Sequence, residues 1–234
     1  EDYENAIALT KKMQGLFTDC YLPLGDLTIK QQLKDTNATA YYRELDISNA
    51  TATTKFTADG VNYTRQIFAS APDQVIIIRI DADKAKSINL LINSSSLLRF
   101  KNSATSSNEI TMKGKAPAHA DPNYYNPNDH PIVYEDTSGC NGMRYELIVK
   151  AVNKDGSINA DESGIHVSNA SSVTLYLSAA TSFNGFDKCP DKEGKDEHAI
   201  AKNYLDKAVK KNFPALVASH VADYKKYFDR VKLQ

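Results

Sequence analysis

Residues 51–69 read TATTKFTADGVNYTRQIFA, and their pattern sets the fold class. Two runs alternate between polar and apolar or β-branched side chains, the period-two signature of half-buried strands. They meet at Asp59-Gly60, a dipeptide suited to a two-residue hairpin turn whose residues need positive φ. A β-hairpin is therefore the first expectation. Downstream, Gln74 to Asp83 is more continuously apolar, as in a central strand covered on both faces.

The same texture of short Val-, Ile-, Thr- and Tyr-rich runs between Gly, Asn, Asp and Pro extends from Leu24 to about Thr181. Ser87 to Asn93, Glu109 to Lys115, Arg144 to Asn153, Gly164 to Ser168 and Ser172 to Ala179 read as further strands. Ten or more strands with no helices between them predict a mainly β fold, an antiparallel sandwich. Helical spacing appears only at the ends. Asp2 to Gln14 carries Tyr3, Ala6, Ile7, Thr10 and Met13 at three- and four-residue steps and stops at Gly15. After Gly194, Ala199, Ile200, Tyr204, Leu205, Ala208 and Val209 form one stripe, and Val217, Val221, Tyr224, Phe228 and Val231 another. Pro214 fits a helix's first turn. The expected organisation is a sandwich over 1–194 and two linker helices over 195–234.

Composition narrows the function classes. With 41% hydrophobic residues and 24% charged, the chain can bury a sizeable core. Its 28 Lys+Arg against 29 Asp+Glu, without a long run of either sign, give no footprint for nucleic acid. The longest nearly apolar stretch, Val75 to Ile80, is far short of the roughly 20 residues of a membrane span, so no membrane insertion is expected. Three widely spaced cysteines, Cys20, Cys140 and Cys189, without a CxxC, read as free or partly buried thiols.

Two long segments interrupt the strands, Ala116 to Gly142 and Ser182 to Asp196, and segments of this length are often functional. His119, Asp121, Asn123, Tyr124 and Tyr125 place hydrogen-bonding and aromatic side chains within seven residues, the types a sugar site uses. The competing reading makes Asp121-Pro122-Asn123 turn chemistry and the tyrosines loop anchors. A metal at His119, Asp121 and His130 lacks any established ligand spacing, and neither metal nor cofactor is expected. No GxSxG elbow marks a nucleophile. Glu135-Asp136, the least ordinary carboxylate pair, reads as loop structure, and His220 as a packed residue. Five Asn-x-Ser/Thr sequons, at Asn37, Asn49, Asn62, Asn93 and Asn169, matter only in a secreted eukaryotic protein.

Six strings occur in one order: YLPLGDLTI (21–29), DGVNYTRQIFASAPDQVIIIRI (59–80), KGKAPAHADPNYYN (113–126), GMRYE (142–146), SAATSFNGFDK (178–188) and HVADYKKYFDRV (220–231). Together they resemble the N-terminal domain of glycoside hydrolase family 95, whose best-known members are α-L-fucosidases. The resemblance implies a β-super-sandwich, linker helices, and an (α/α)6 barrel carrying the catalytic residues for inverting hydrolysis of α-1,2-linked fucose. None of the barrel motifs occurs here, nor does the family's first segment, which would pair into the same sandwich. The chain is thus expected to be truncated at both ends, to carry no catalytic residue and to be inactive alone. Its partners would be its own barrel and a fucosylated oligosaccharide, in the periplasm or outside the cell. The loops at 116–144 and 181–187 would line the substrate channel, which adds Phe183 and Asn184 to the candidates. Two other readings are a free-standing carbohydrate-binding module, disfavoured by the absence of Trp, and a structural interaction domain.

Overall fold

The computed structural model describes residues 2–13, 21–35, 37–122, 124, 129–135 and 139–232. Helix α1 (Tyr3–Met13) precedes strands β1 (Asp26–Gln31), β2 (Thr39–Asp46), β3 (Thr51–Ala58), β4 (Val61–Ser70), β5 (Val75–Ala82), β6 (Ile88–Ser95), β7 (Arg99–Ser106) and β8 (Glu109–Lys115). After two short strands, β9 (His119–Ala120) and β10 (Ile132–Val133), come β11 (Arg144–Lys154), β12 (Ser157–Asp161), β13 (Gly164–Ala170) and β14 (Ser172–Thr181), then α2 (Glu197–Val209) and α3 (Phe213–Phe228).

The sandwich is antiparallel throughout. An eight-stranded sheet, ordered β2-β3-β4-β5-β14-β11-β8-β7, faces a four-stranded sheet, β1-β6-β13-β12. The β3–β4 hairpin turns at Asp59 and Gly60 with φ of 54° and 69°, the left-handed pair such a turn needs. Alternation puts Phe56, Ala58, Val61 and Tyr63 inward, where they join Ile78, Ile80, Ile88, Leu90, Ile92 and Val149 in the inter-sheet core. Strand β5 is central and serves both faces: Ile78 and Ile80 point into that core, while Val75 and Ile77 point to the outer layer.

The outer layer is where the C-terminal helices dock. Ala201, Leu205 and Ala208 of α2 and Leu216 of α3 are fully buried against Phe68, Ile77, Ile148 and Tyr176, each leucine contributing about 1.5–3 kcal/mol. Caps fix both helix starts: Asp196 accepts from Ala199 N at 2.9 Å and Asn212 from Ala215 N at 2.9 Å, with Pro214 in the first turn. The buried stripes differ by a residue or two from the spacing read in the sequence. Ala201 is buried where Ala199 is exposed, Leu216 is the innermost residue of α3, and Val231 lies beyond the helix, exposed. His220 packs as expected, stacked on Phe68 at 4.9 Å between centroids, with Nε2 3.1 Å from the Asn49 and Ala50 carbonyl oxygens.

Candidate loop site at the end of the sandwich

Strands β11 and β14 pair with Tyr145 opposite Thr181, so the segment entering β11 and the segment leaving β14 begin side by side. Ser182 N donates to Arg144 O and Arg144 N to Ser182 Oγ, both at 2.9 Å. From there, contacts at residues 140–144 tie the end of the first segment to the second. The Arg144 guanidinium forks onto Glu197, Nε to Oε1 at 3.0 Å and Nη2 to Oε2 at 3.1 Å, and Nη1 donates to the carbonyl of Asp191. The Asp191 carboxylate accepts from Lys115 Nζ at 3.1 Å and Asn141 Nδ2 at 3.2 Å. The Lys115 hydrogen bond, reinforced by Asn141, holds that carboxyl below its ordinary range despite partial burial.

A disulfide between Cys140 and Cys189 completes the join. It corrects the expectation of free thiols. The two cysteines are 49 residues apart in sequence and meet because the β11–β14 register brings their loops together. Cys20 lies outside the described residues.

The first segment is less irregular than expected. Its ends zip into the β9–β10 ladder, His119 opposite Val133 and Ala120 opposite Ile132, with Asp121 N donating to Pro131 O at 2.8 Å. Arg99 on β7 lies 4.0 Å over the Tyr134 ring, and its backbone N–H donates to the Tyr134 hydroxyl at 3.1 Å.

Of the predicted site residues, His119 and Asp121 are in contact, Nε2 to Oδ1 at 2.7 Å. Tyr124 and Phe183 are exposed, and Asn184 Nδ2 donates to Glu193 O at 2.8 Å within its own loop. Asn123, Tyr125 and Asp136 lie outside the described residues. Sequence reasoning missed Phe186, fully exposed three residues after Phe183, and the Arg144–Asp191–Glu197 junction. Only the GMRYE string hinted at the latter.

The carboxylates nearest to the expected chemistry have cationic or histidine neighbours. Glu135 is exposed and 3.8 Å from Arg99. Buried Glu146 contacts His198 Nδ1 at 2.7 Å and Lys113 at 3.5 Å, and buried Glu109 contacts Lys150 at 3.0 Å, so both are engaged beneath α2. The surface trio Asp161, Ser163 and His166 does not form a nucleophile relay either: Ser163 Oγ and Asp161 both sit on Nε2, at 3.0 and 3.2 Å, whereas a relay needs both ring nitrogens. Hydrogen bonds from the Ser163 side chain and backbone pull the Asp161 carboxyl down to about 2. No group of three or more His, Cys, Asp and Glu suited to a metal occurs among the described residues. Tyr124, Phe183 and Phe186 are exposed aromatic side chains on these loops.

A family model described as "Glycosyl hydrolase family 65, N-terminal domain" matches residues 1–185. The chain is 30% identical over 240 residues to Alpha-L-fucosidase 2 of Arabidopsis thaliana, an alignment covering 99% of this chain and 28% of that protein. It therefore spans less than a third of that relative's length. Among solved structures, a putative kojibiose phosphorylase from human microbiome matches with a TM-score of 0.50 at 12% identity, over 86% of this chain and 27% of the other. That likeness concerns the fold alone.

Proposed function

From the premise that this chain belongs to the glycosyl hydrolase family 65 N-terminal domain family, we propose that it is the sandwich domain of a glycoside hydrolase of the α-L-fucosidase type, as in family 95. The observation that carries this reading is the 30% identity to Alpha-L-fucosidase 2 across almost the whole chain.

In this account the catalytic acid and the water-activating groups belong to an (α/α)6 barrel elsewhere in the polypeptide. This domain packs on that barrel through its linker helices and lends it the two tied loops. Tyr124, Phe183 and Phe186 offer apolar faces to a sugar ring, while His119, Asp121 and Asn184 supply polar edges. The disulfide supports residence in an oxidising compartment, the periplasm or outside the cell.

The first test uses the full-length protein with a 2'-fucosylated oligosaccharide, with and without inorganic phosphate, following the product by proton NMR. Release of free fucose as the inverted anomer, independent of phosphate, is expected. A sugar phosphate formed only with phosphate would overturn it.

A further inference from the structure

The outer face of the large sheet gathers positive charge toward its β7 edge. On β8, Ile110 and Met112 point into the inter-sheet core, so alternation turns Lys113 and Lys115 outward. The register then aligns Arg99, Lys115 and Arg144 in one row across β7, β8 and β11, and Lys101, Lys113 and Glu146 in the next. Like charges directly opposite one another destabilise a sheet, so each cation in these rows calls for a neutralising partner.

The partners run out toward the edge. Arg144 is held by Glu197 and Lys115 by Asp191. Lys113, its side chain 60% exposed, lies 3.5 Å from Glu146 Oε2, but that carboxylate also takes His198 on Oε1 at 2.7 Å. Arg99 is 64% exposed, and Glu135, 3.8 Å away and 89% exposed, is a weak competitor for it. Lys101 is exposed and has no ion pair among the described residues. The helices leave this corner open, α2 lying over β14, β11 and β5 and α3 over β4. The corner also adjoins the candidate loop site: Lys115 leads into the first long segment, and Arg99 stacks on Tyr134 near its far end.

We propose that Arg99, Lys101 and Lys113 form a subsite for an acidic sugar, binding the carboxylate or sulfate of a glycan that runs past the loops. Directly opposite residues stand about 5 Å apart and alternate residues of one strand about 7 Å, so the three cations converge on one or two acidic groups. That spacing is too compact for a nucleic-acid backbone. Stacking on Tyr134 occupies the face of the Arg99 guanidinium and leaves its in-plane N–H groups to donate in pairs to an acid group, while the two lysines act as point charges. The anionic group follows from the charges alone. The sugar as its carrier rests on the proposed glycoside hydrolase function, and the subsite adds to that reading a preference for acidic over neutral glycans.

Fluorescence polarisation with the full-length protein tests this, using labelled hexagalacturonate, the same hexamer with its carboxyl groups reduced to alcohols, a sulfated hexagalactose without carboxylates, and a hexaglutamate peptide. Saturable binding of hexagalacturonate or of the sulfated hexamer, about tenfold or more tighter than that of the reduced hexamer at about 0.15 M salt, is expected, and the tighter of the two identifies the acid group. Lys101→Gln and Lys113→Gln should each weaken it about two- to fivefold, and Lys101→Arg should leave it unchanged. Both lysines are exposed, and thermal melting checks that the variants fold. Equal affinity for the reduced hexamer, or unchanged affinity in both glutamine variants, would overturn the subsite. Hexaglutamate binding as tightly as either acidic glycan would overturn the sugar as its carrier. Fucose release from a neutral 2'-fucosylated oligosaccharide, measured on the same samples, separates the two readings. Its absence alongside charge-dependent glycan binding would count against the proposed function alone, and its presence without such binding against this inference alone.

Discussion

Asp73 shows how a single buried carboxylate fastens a layer. Sitting in the β4–β5 turn, it accepts from Ser70 Oγ at 2.6 Å, from Ser219 Oγ at 3.0 Å and from Lys211 Nζ, so it grips both α3 and the turn before it. Burial pushes its pKa up, but the hydrogen bonds from Lys211, Ser70 and Ser219 outweigh that and leave it below its ordinary value of 3.8. Because the folded value is depressed, its contribution is complete above the unfolded value and fades as pH falls through the folded one. Asp73→Asn should lower stability by about 1.5–3 kcal/mol at neutral pH, and the deficit should shrink below pH 3.8. Urea melts at several pH values check both.

At the scale of elements, the disulfide and the hairpin turn make separate predictions. Cys189→Ser removes a cross-link across 49 residues and should cost about 2–4 kcal/mol, with proteolysis beginning in residues 182–196. Gly60 has φ of 69° and open space around it, with Lys84 Nζ 3.7 Å from where a Cβ would stand. Gly60→Ala should therefore cost about 1–2 kcal/mol from backbone strain alone, measured by thermal melting. The same two features mark what sequence could convey. The β3–β4 hairpin was legible because alternation and the Asp-Gly turn are local signals. The Cys140–Cys189 pairing was not, because it arises from a strand register set far from either cysteine. Strands β7 (RFKNSATS) and β12 (SINAD) also escaped notice. Both are sheet edges: β7 carries polar side chains on both faces, while β12 alternates, with Ile158 and Ala160 packed on the core, over only five residues.

Across the whole molecule, the layers were predictable. Apolar alternation dictates a sandwich, and two amphipathic stretches dictate helices on its outer face. The candidate loop residues were legible as residue types, yet the join between their two segments comes from Arg144, Asn141 and Asp191, whose meeting depends on tertiary folding. The buried carboxylates Glu109 and Glu146 are engaged beneath α2 by Lys202 and His198; in the proposed division of labour this domain positions and braces while another does the chemistry.

The most direct test of that division of labour compares fucose release by the 234-residue chain and by the full-length protein, at equal molar concentration on a 2'-fucosylated oligosaccharide. The account predicts release by the full-length protein and none above buffer background from the chain alone. Fucose release by the isolated chain, or its absence from the full-length protein, would contradict it.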